Sequence, residues 1–193
     1  MSRQKEFERE EVLEKALEVF WCNGYNGTSF QNLTEGMCIN RQSIYDTYGD
    51  KHTLFVEVLN HYSEKTSALL REHFAQEKPV KELFRIHFEK AISNIGTDPK
   101  SKGCLISNAA LEMIPHDAAV KKVAQKSMDD LYHIFLDAVR RGIKNKEITS
   151  PQPAEALALH LVNTMQGMNT IGKTISDKKR LLAMMDAALS VLG

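Results

Sequence analysis

No stretch of the 193-residue chain approaches the ~18 consecutive apolar residues that a membrane span requires. The N-terminus, MSRQKEFEREE, is charged throughout and has no apolar centre. It reads as no secretory signal, so a cytoplasmic location and no membrane partner are expected. Cysteine is scarce: Cys22, Cys38 and Cys104 stand at irregular spacing without a CxxC pair, which argues against a zinc site and against a disulfide framework. The histidines show no HxxxH or HExxH spacing. Paired carboxylates, a nucleophile triad and a phosphate-binding loop are also missing, so no metal, no cofactor and no catalytic residue is expected.

An excess of charge of either sign is lacking too, with 25 Lys+Arg against 25 Asp+Glu. Residues 1–51 are net acidic, with six basic side chains (Arg3, Lys5, Arg9, Lys15, Arg41, Lys51) against nine acidic ones. Phosphate contacts dominate affinity for DNA, so this weighs against a nucleic-acid partner unless the acids lie on the outer face of the first helix.

What is present is helical period, almost without interruption. Hydrophobic residues make up 42% of the chain, enough for a real core. Val12, Leu13, Ala16, Leu17 and Phe20 form a stripe closed by Asn23-Gly24. Thr28-Ser29-Phe30-Gln31 reads as a capping box with Thr28 as the cap, opening a short helix to about Gly36. Met37-Cys38-Ile39 reads as a tight turn, after which Asn40 caps a helix from Arg41 to Tyr48. Asp50 caps a long fourth helix, and five more follow, the ninth capped by Ser176. The fold class is therefore all-α, with about nine helices. The boundary is placed at residues 51/52: 1–51 as one module, 52–193 as a larger helical domain.

Two short helices joined by a tight turn and preceded by a longer one describe a helix-turn-helix. Its second helix must show polar side chains outward, and Arg41, Gln42, Ser43, Asp46 and Thr47 supply them, while Ile44 and Tyr48 pack inward. Arg suits guanine and Gln suits adenine in the major groove. Thr28 and Ser29 at one helix start and Lys51 at another are candidates to hold phosphate.

The segment GYNGTSFQNLTEGMCINRQSIYDTYGDKHTLF resembles the signature of the TetR family of bacterial transcriptional regulators. Phe20, Gly24, Thr28-Ser29, Leu33, Ile39, Ser43, Ile44-Tyr45, Tyr48, Lys51 and Leu54-Phe55 carry the match at unbroken spacing. The resemblance implies a homodimer on palindromic double-stranded DNA, usually a repressor released by a small-molecule effector. It implies phosphate contact at Thr28, base reading by Arg41, Gln42 and Ser43, and backbone contact by Tyr45 and Lys51. The chain departs from the family at Cys38, where Gly is usual, at Asp46, where His is common, and at Gln42, where Gly is common.

The resemblance also places an effector pocket among the middle helices, with Tyr62, Phe84, His87, Phe88, Cys104, Asn108 and Phe135 as candidates. Cys104 follows Lys102-Gly103 at a helix start, where the dipole favours thiolate. KGCLISNAALEM is similar to a segment of repressors that sense electrophiles and oxidants through a cysteine, so Cys104 is a candidate thiol sensor; the bland alternative is a small core hydrophobe. Dimerisation is expected through the last two long helices, on Ala156, Leu157, Leu161, Val162, Met165 and Met168 with Leu181, Leu182, Met185, Ala188, Leu189 and Leu192. A helical adaptor binding protein and a thiol-dependent enzyme using Cys104 are the alternative readings.

Overall fold

The computed structural model describes residues 2–95, 102–114, 116–175 and 177–193, with side chains from Arg9 onward. Nine α-helices and no strand occur among the described residues: α1 (Ser2–Asn23), α2 (Phe30–Met37), α3 (Arg41–Tyr48), α4 (Lys51–Phe74), α5 (Val80–Asn94), α6 (Leu105–Met113), α7 (Ala118–Lys144), α8 (Ala154–Ile171) and α9 (Lys178–Leu189). A 3-10 turn, Ser190–Leu192, closes the chain. The chain forms two compact units, one of residues 1–65 with 105–125, the other of residues 66–104 with 126–193.

The helix ends show why the elements stop where they do. The α2 cap is Ser29, one residue later than the sequence pattern suggests. Ser29 is extended and its Oγ accepts the Asn32 N–H at 3.1 Å, while Asn32 Oδ1 accepts the Ser29 N–H at 2.9 Å. Thr28 cannot do this because its side chain is buried and its hydroxyl donates to the Gly24 carbonyl at 2.6 Å. Asn40 caps α3 as expected, accepting the Ser43 N–H at 2.8 Å. Asp50 caps α4 through the Thr53 N–H at 2.7 Å. Pro79 offers no capping oxygen to α5, and Glu147 supplies one from a distance, accepting the Val80 N–H at 2.5 Å. Ser176, expected to cap α9, lies outside the described residues; Asp177 accepts the N–H groups of Lys179 and Arg180 there.

In the first unit, the α1 stripe buries Ala16, Leu17 and Phe20, α2 buries Leu33 and Met37, and α3 buries Ile44 and Tyr48. From α4 come Leu54, Phe55, Val58 and Leu59. The Phe20 and Phe55 rings lie 4.8 Å apart, with Tyr25 against Phe55 at 5.1 Å. Each fully buried side chain of this size stabilises by ~1.5–3 kcal/mol, so the two short helices α2 and α3 hold together with α1 and α4 on apolar contact that neither could make alone.

The second unit is built on one apolar cluster that includes Phe74, Phe84, Phe88, Phe135, Val139, Leu161, Met165, Leu181 and Met185. Helix α9 packs on both α5 and α8. Leu157, Leu161, Met165 and Met168 of α8, and Leu181, Met185, Ala188, Leu189 and Leu192, are buried within the single subunit. The sequence pattern assigns them to a subunit interface; the fold spends them on its own core. The apolar residues that α8 and α9 leave exposed are Ala156, Leu159, Ala183, Met184 and Ala187, with Val162 and Leu182 half-buried.

Candidate nucleic-acid interface

Helix α3 divides its residues sharply. Ile44 and Tyr48 are buried, while Arg41, Gln42, Tyr45, Asp46 and Thr47 are exposed and Ser43 is half-buried. Four-residue spacing puts the buried pair on one face, and that anchoring fixes which side chains face solvent. The exposed side chains hold one another. Gln42 Nε2 donates to Asp46 Oδ1 at 2.7 Å, and Arg41 Nη2 donates to the Tyr45 hydroxyl at 3.1 Å. The Arg41 guanidinium lies 4.7 Å from the Phe30 ring centre and 5.5 Å from that of Tyr45. The two rings are stacked, 4.9 Å apart at 24°.

The turn before α3 bends at Cys38, which adopts the left-handed conformation with φ 58 and ψ 34. Glycine reaches this region without the Cβ clash that cysteine incurs. The thiol is exposed and donates weakly to the Glu35 carbonyl at 3.6 Å.

Two of the expected phosphate contacts are engaged within the subunit. Thr28 is 2% exposed; its N–H donates to the Tyr25 carbonyl at 3.3 Å and its hydroxyl to Gly24, so neither donor is free. Lys51 Nζ donates to the carbonyls of Tyr25 and Thr28, both at 2.8 Å, and sits 4.2 Å from the Tyr25 ring centre. Burial lowers the Lys51 pKa below the ordinary lysine value, against an opposing pull from Glu112. Ser29 is exposed at the α2 start, although its N–H and its hydroxyl both donate to Asn32 Oδ1, at 2.9 and 2.7 Å.

The α1–α2 loop is gripped from α6. Glu112 accepts the Tyr25 N–H at 2.9 Å and the Asn26 N–H at 2.7 Å, one on each carboxylate oxygen. At Gly24 (φ +71) a Cβ would stand 2.9 Å from Glu112 Oε2, so a side chain there would be strained and would push the carboxylate aside. Nearby, His52 Nε2 lies 2.6 Å from Asp117 Oδ2, and the other Asp117 oxygen caps α7 through the Val120 N–H at 2.9 Å. That cap is the main reason the Asp117 pKa falls below its usual value. The sequence gives no sign of the Glu112 contact, because its partners are 86 and 87 residues away. Phe30 gives no local sign of its role either, since one aromatic at a helix start resembles core.

The α1 acids with described side chains are placed in two ways. Glu10, Glu11 and Glu18 are exposed. Glu14 is half-buried, and one of its oxygens meets His61 Nε2 at 2.6 Å and Lys65 Nζ at 2.7 Å. Burial pushes the Glu14 pKa up, but these two partners outweigh it and leave it lowered.

The effector candidates divide between the units. Tyr62 sets its ring edge-on to Trp21, 5.1 Å away, in the first unit, which also holds Asn108. Phe84, Phe88 and Phe135 are fully buried in the second. His87 sits among rings there, its centre 5.8 Å from His73, 5.9 Å from both Phe74 and Phe135, and 6.0 Å from Phe88. Burial, helped by His73 and Lys90, drives the His87 pKa down to about 4, so the imidazole is neutral at pH 7. Cys104 is half-buried and directly precedes α6. Among the described residues no group of three or more metal-ligating side chains occurs, and no helix is long and apolar enough to cross a membrane.

Comparison with known proteins identifies the family. Residues 12–58 match the family model of bacterial regulatory proteins, tetR family, and residues 82–190 match the tetracyclin repressor-like C-terminal domain. The chain is 37% identical over 196 residues to the HTH-type transcriptional regulator YezE of Bacillus subtilis strain 168, covering 100% of both chains. It is 31% identical to the HTH-type transcriptional repressor ComR of Escherichia coli K12, over 58% of this chain and 54% of that protein. A cysteine-substituted CifR, a TetR family transcriptional regulator solved with 26-base-pair operator DNA, superposes with a TM-score of 0.82 at 29% identity, covering 94% of this chain and 95% of that one. The chain belongs to the TetR family of helix-turn-helix transcriptional regulators.

Proposed function

We propose that the chain is a homodimeric repressor that binds a palindromic operator through two copies of α3 and is released by a small effector. The observation that carries this reading is the division of α3, with Ile44 and Tyr48 buried and Arg41, Gln42, Tyr45, Asp46 and Thr47 turned to solvent. Residues 1–51 serve as the reading head and 52–193 as the effector and dimer domain. Arg41, Gln42 and Ser43 read base edges, and Ser29 and Tyr45 hold phosphate. The two half-sites lie about 34–36 Å apart or a multiple of that. The DNA-binding role supports action in the cytoplasm, where the DNA of a bacterial cell lies.

The subunit contact uses the outward faces of α8 and α9. Ala156 and Leu159 of α8 and Ala183, Met184 and Ala187 of α9 leave an exposed apolar strip of mostly small side chains. Gly167 in α8 has open space where a Cβ would stand, which suits close approach of another helix.

The effector is apolar, held within the second unit by Phe84, Phe88 and Phe135 with neutral His87 as a hydrogen-bonding partner. A reactive effector acting at Cys104 is the specific form of this reading. Cys104 adjoins α6, and α6 carries the Glu112 that grips the α1–α2 loop, so an adduct on the sulfur would strain the element that braces the reading head.

A mobility-shift titration with the DNA upstream of the chain's own gene tests the main claim. Arg41→Ala should weaken binding and relax sequence preference; equal loss on every duplex would reduce Arg41 to a phosphate contact. Absence of any shift would favour a protein-binding adaptor. Alkylating the Cys104 thiol in a variant lacking Cys22 and Cys38 should release the DNA, and unchanged affinity would end the sensor role.

A further inference from the structure

Phe30 lies outside every set of residues expected to touch DNA, yet it shapes the first side chain of the recognition helix. Its ring is half-buried at the start of α2, and three independent contacts converge on it and its neighbours. The Arg41 guanidinium stands 4.7 Å from the Phe30 ring centre, Phe30 stacks on Tyr45 at 4.9 Å, and Tyr45 takes an N–H from Arg41 Nη2 at 3.1 Å. Arg41 and Tyr45 are one helical turn apart on α3, while Phe30 reaches them from α2.

We infer that Phe30 is a positioning residue for sequence reading: with Tyr45 it forms an aromatic seat that fixes the Arg41 guanidinium before DNA arrives. The inference rests on the DNA-reading role given to α3 above. A free arginine loses freedom about several rotatable bonds on docking, and one already held over a ring loses less. Of its five N–H donors only one is given to Tyr45, so the others remain for a base. Bidentate pairing with guanine needs that edge held in one plane. Phosphate contact makes no such demand, so losing the seat should cost discrimination at one base pair and spare general affinity.

The test uses the full-length chain and a pool of duplexes with a randomised central segment, sequenced after selection at a fixed salt concentration. In Phe30→Ala the preference at the base pair that Arg41→Ala also relaxes should flatten about two- to fivefold, the range an exposed cation–π contact supports. The slope of affinity against salt should stay as in the parent, since no phosphate contact is removed. Phe30→Leu, which restores apolar volume without a π face, should read like Phe30→Ala while recovering thermal stability, and Phe30→Tyr should read like the parent. In an Arg41→Ala background the Phe30 substitutions should be silent. An unchanged motif in Phe30→Ala overturns the inference. So does uniform loss on all duplexes that persists without Arg41, which is the mark of a scaffold residue. Tighter binding without the ring overturns it as well, by showing that the seat holds Arg41 away from DNA. If the parent chain enriches no motif at all, the DNA reading fails first and takes this inference with it.

Discussion

Glu112 accepts the backbone N–H of Tyr25 at 2.9 Å, and so ties helix α6 to the loop that leads into the helix-turn-helix. Its other oxygen takes the Asn26 N–H at 2.7 Å. Hydrogen bonds to a charged group contribute more than neutral ones, though solvent around an exposed pair weakens them. Glu112→Ala is expected to lower unfolding free energy by about 1–2 kcal/mol and to weaken operator binding, read by denaturant unfolding and mobility shift. Gly24→Ala should cost at least as much, because the new Cβ meets the carboxylate at a strained φ of +71. Combining the two should cost less than their sum, and strict additivity would show that the residues do not share one contact.

Lys51 is a test of structure against electrostatics. Its ammonium is committed to the Tyr25 and Thr28 carbonyls, so it braces the loop rather than reaching outward. Lys51→Met should lower stability by about 1–3 kcal/mol, since two carbonyls lose a charged donor. The salt dependence of DNA binding should barely change; a slope smaller by about one would identify a phosphate contact instead.

Cys38→Gly should stabilise the chain by about 0.5–1 kcal/mol, because glycine tolerates the left-handed turn at φ 58. Part of the gain is offset by the larger entropy of glycine in the unfolded chain. DNA affinity should be unchanged, measured beside thermal unfolding. A destabilised variant would show that the thiol contributes packing that outweighs the backbone strain.

Leu159 is 58% exposed on α8, with little to hold it inside its own subunit. Leu159→Glu is expected to leave the monomer folded and to abolish dimers in sedimentation velocity, with loss of operator binding. Intact dimers carrying the charge would move the subunit contact to another face.

His87 sets an acid limb to stability. Its pKa falls from 6.5 when unfolded to about 4 when folded, so between these values the unfolded chain binds the extra proton. Stability from this group is complete above pH 6.5 and declines as pH falls toward 4, by at most on the order of 3 kcal/mol. Urea unfolding at a series of pH values should show that slope, and His87→Phe should flatten it. A slope that survives the substitution assigns the proton to another group.

Much of this molecule follows from neighbours in the chain. Helix α3 was legible because Asn40 caps it, Ile44 and Tyr48 share a face, and the polar residues fall opposite. Its ends and orientation need only the 3.6-residue period and local capping. The α2 cap was harder: Thr28 and Ser29 are both capping residues side by side, and the choice fell to a bond from Thr28 to Gly24 made when the preceding loop folds back. The apolar faces of α8 and α9 illustrate the same limit, since periodicity marks a face for burial without saying whether its own subunit or another covers it.

The sequence by itself determined an all-helical chain with a reading helix near its start, because hydrophobic spacing and caps act over a few residues. Only the tertiary structure decided that Lys51 and Thr28 turn inward, that Glu112 holds a loop 86 residues away, and that Phe30 seats Arg41. Those outcomes depend on which donors and acceptors meet when distant segments are brought together, and no local pattern records that.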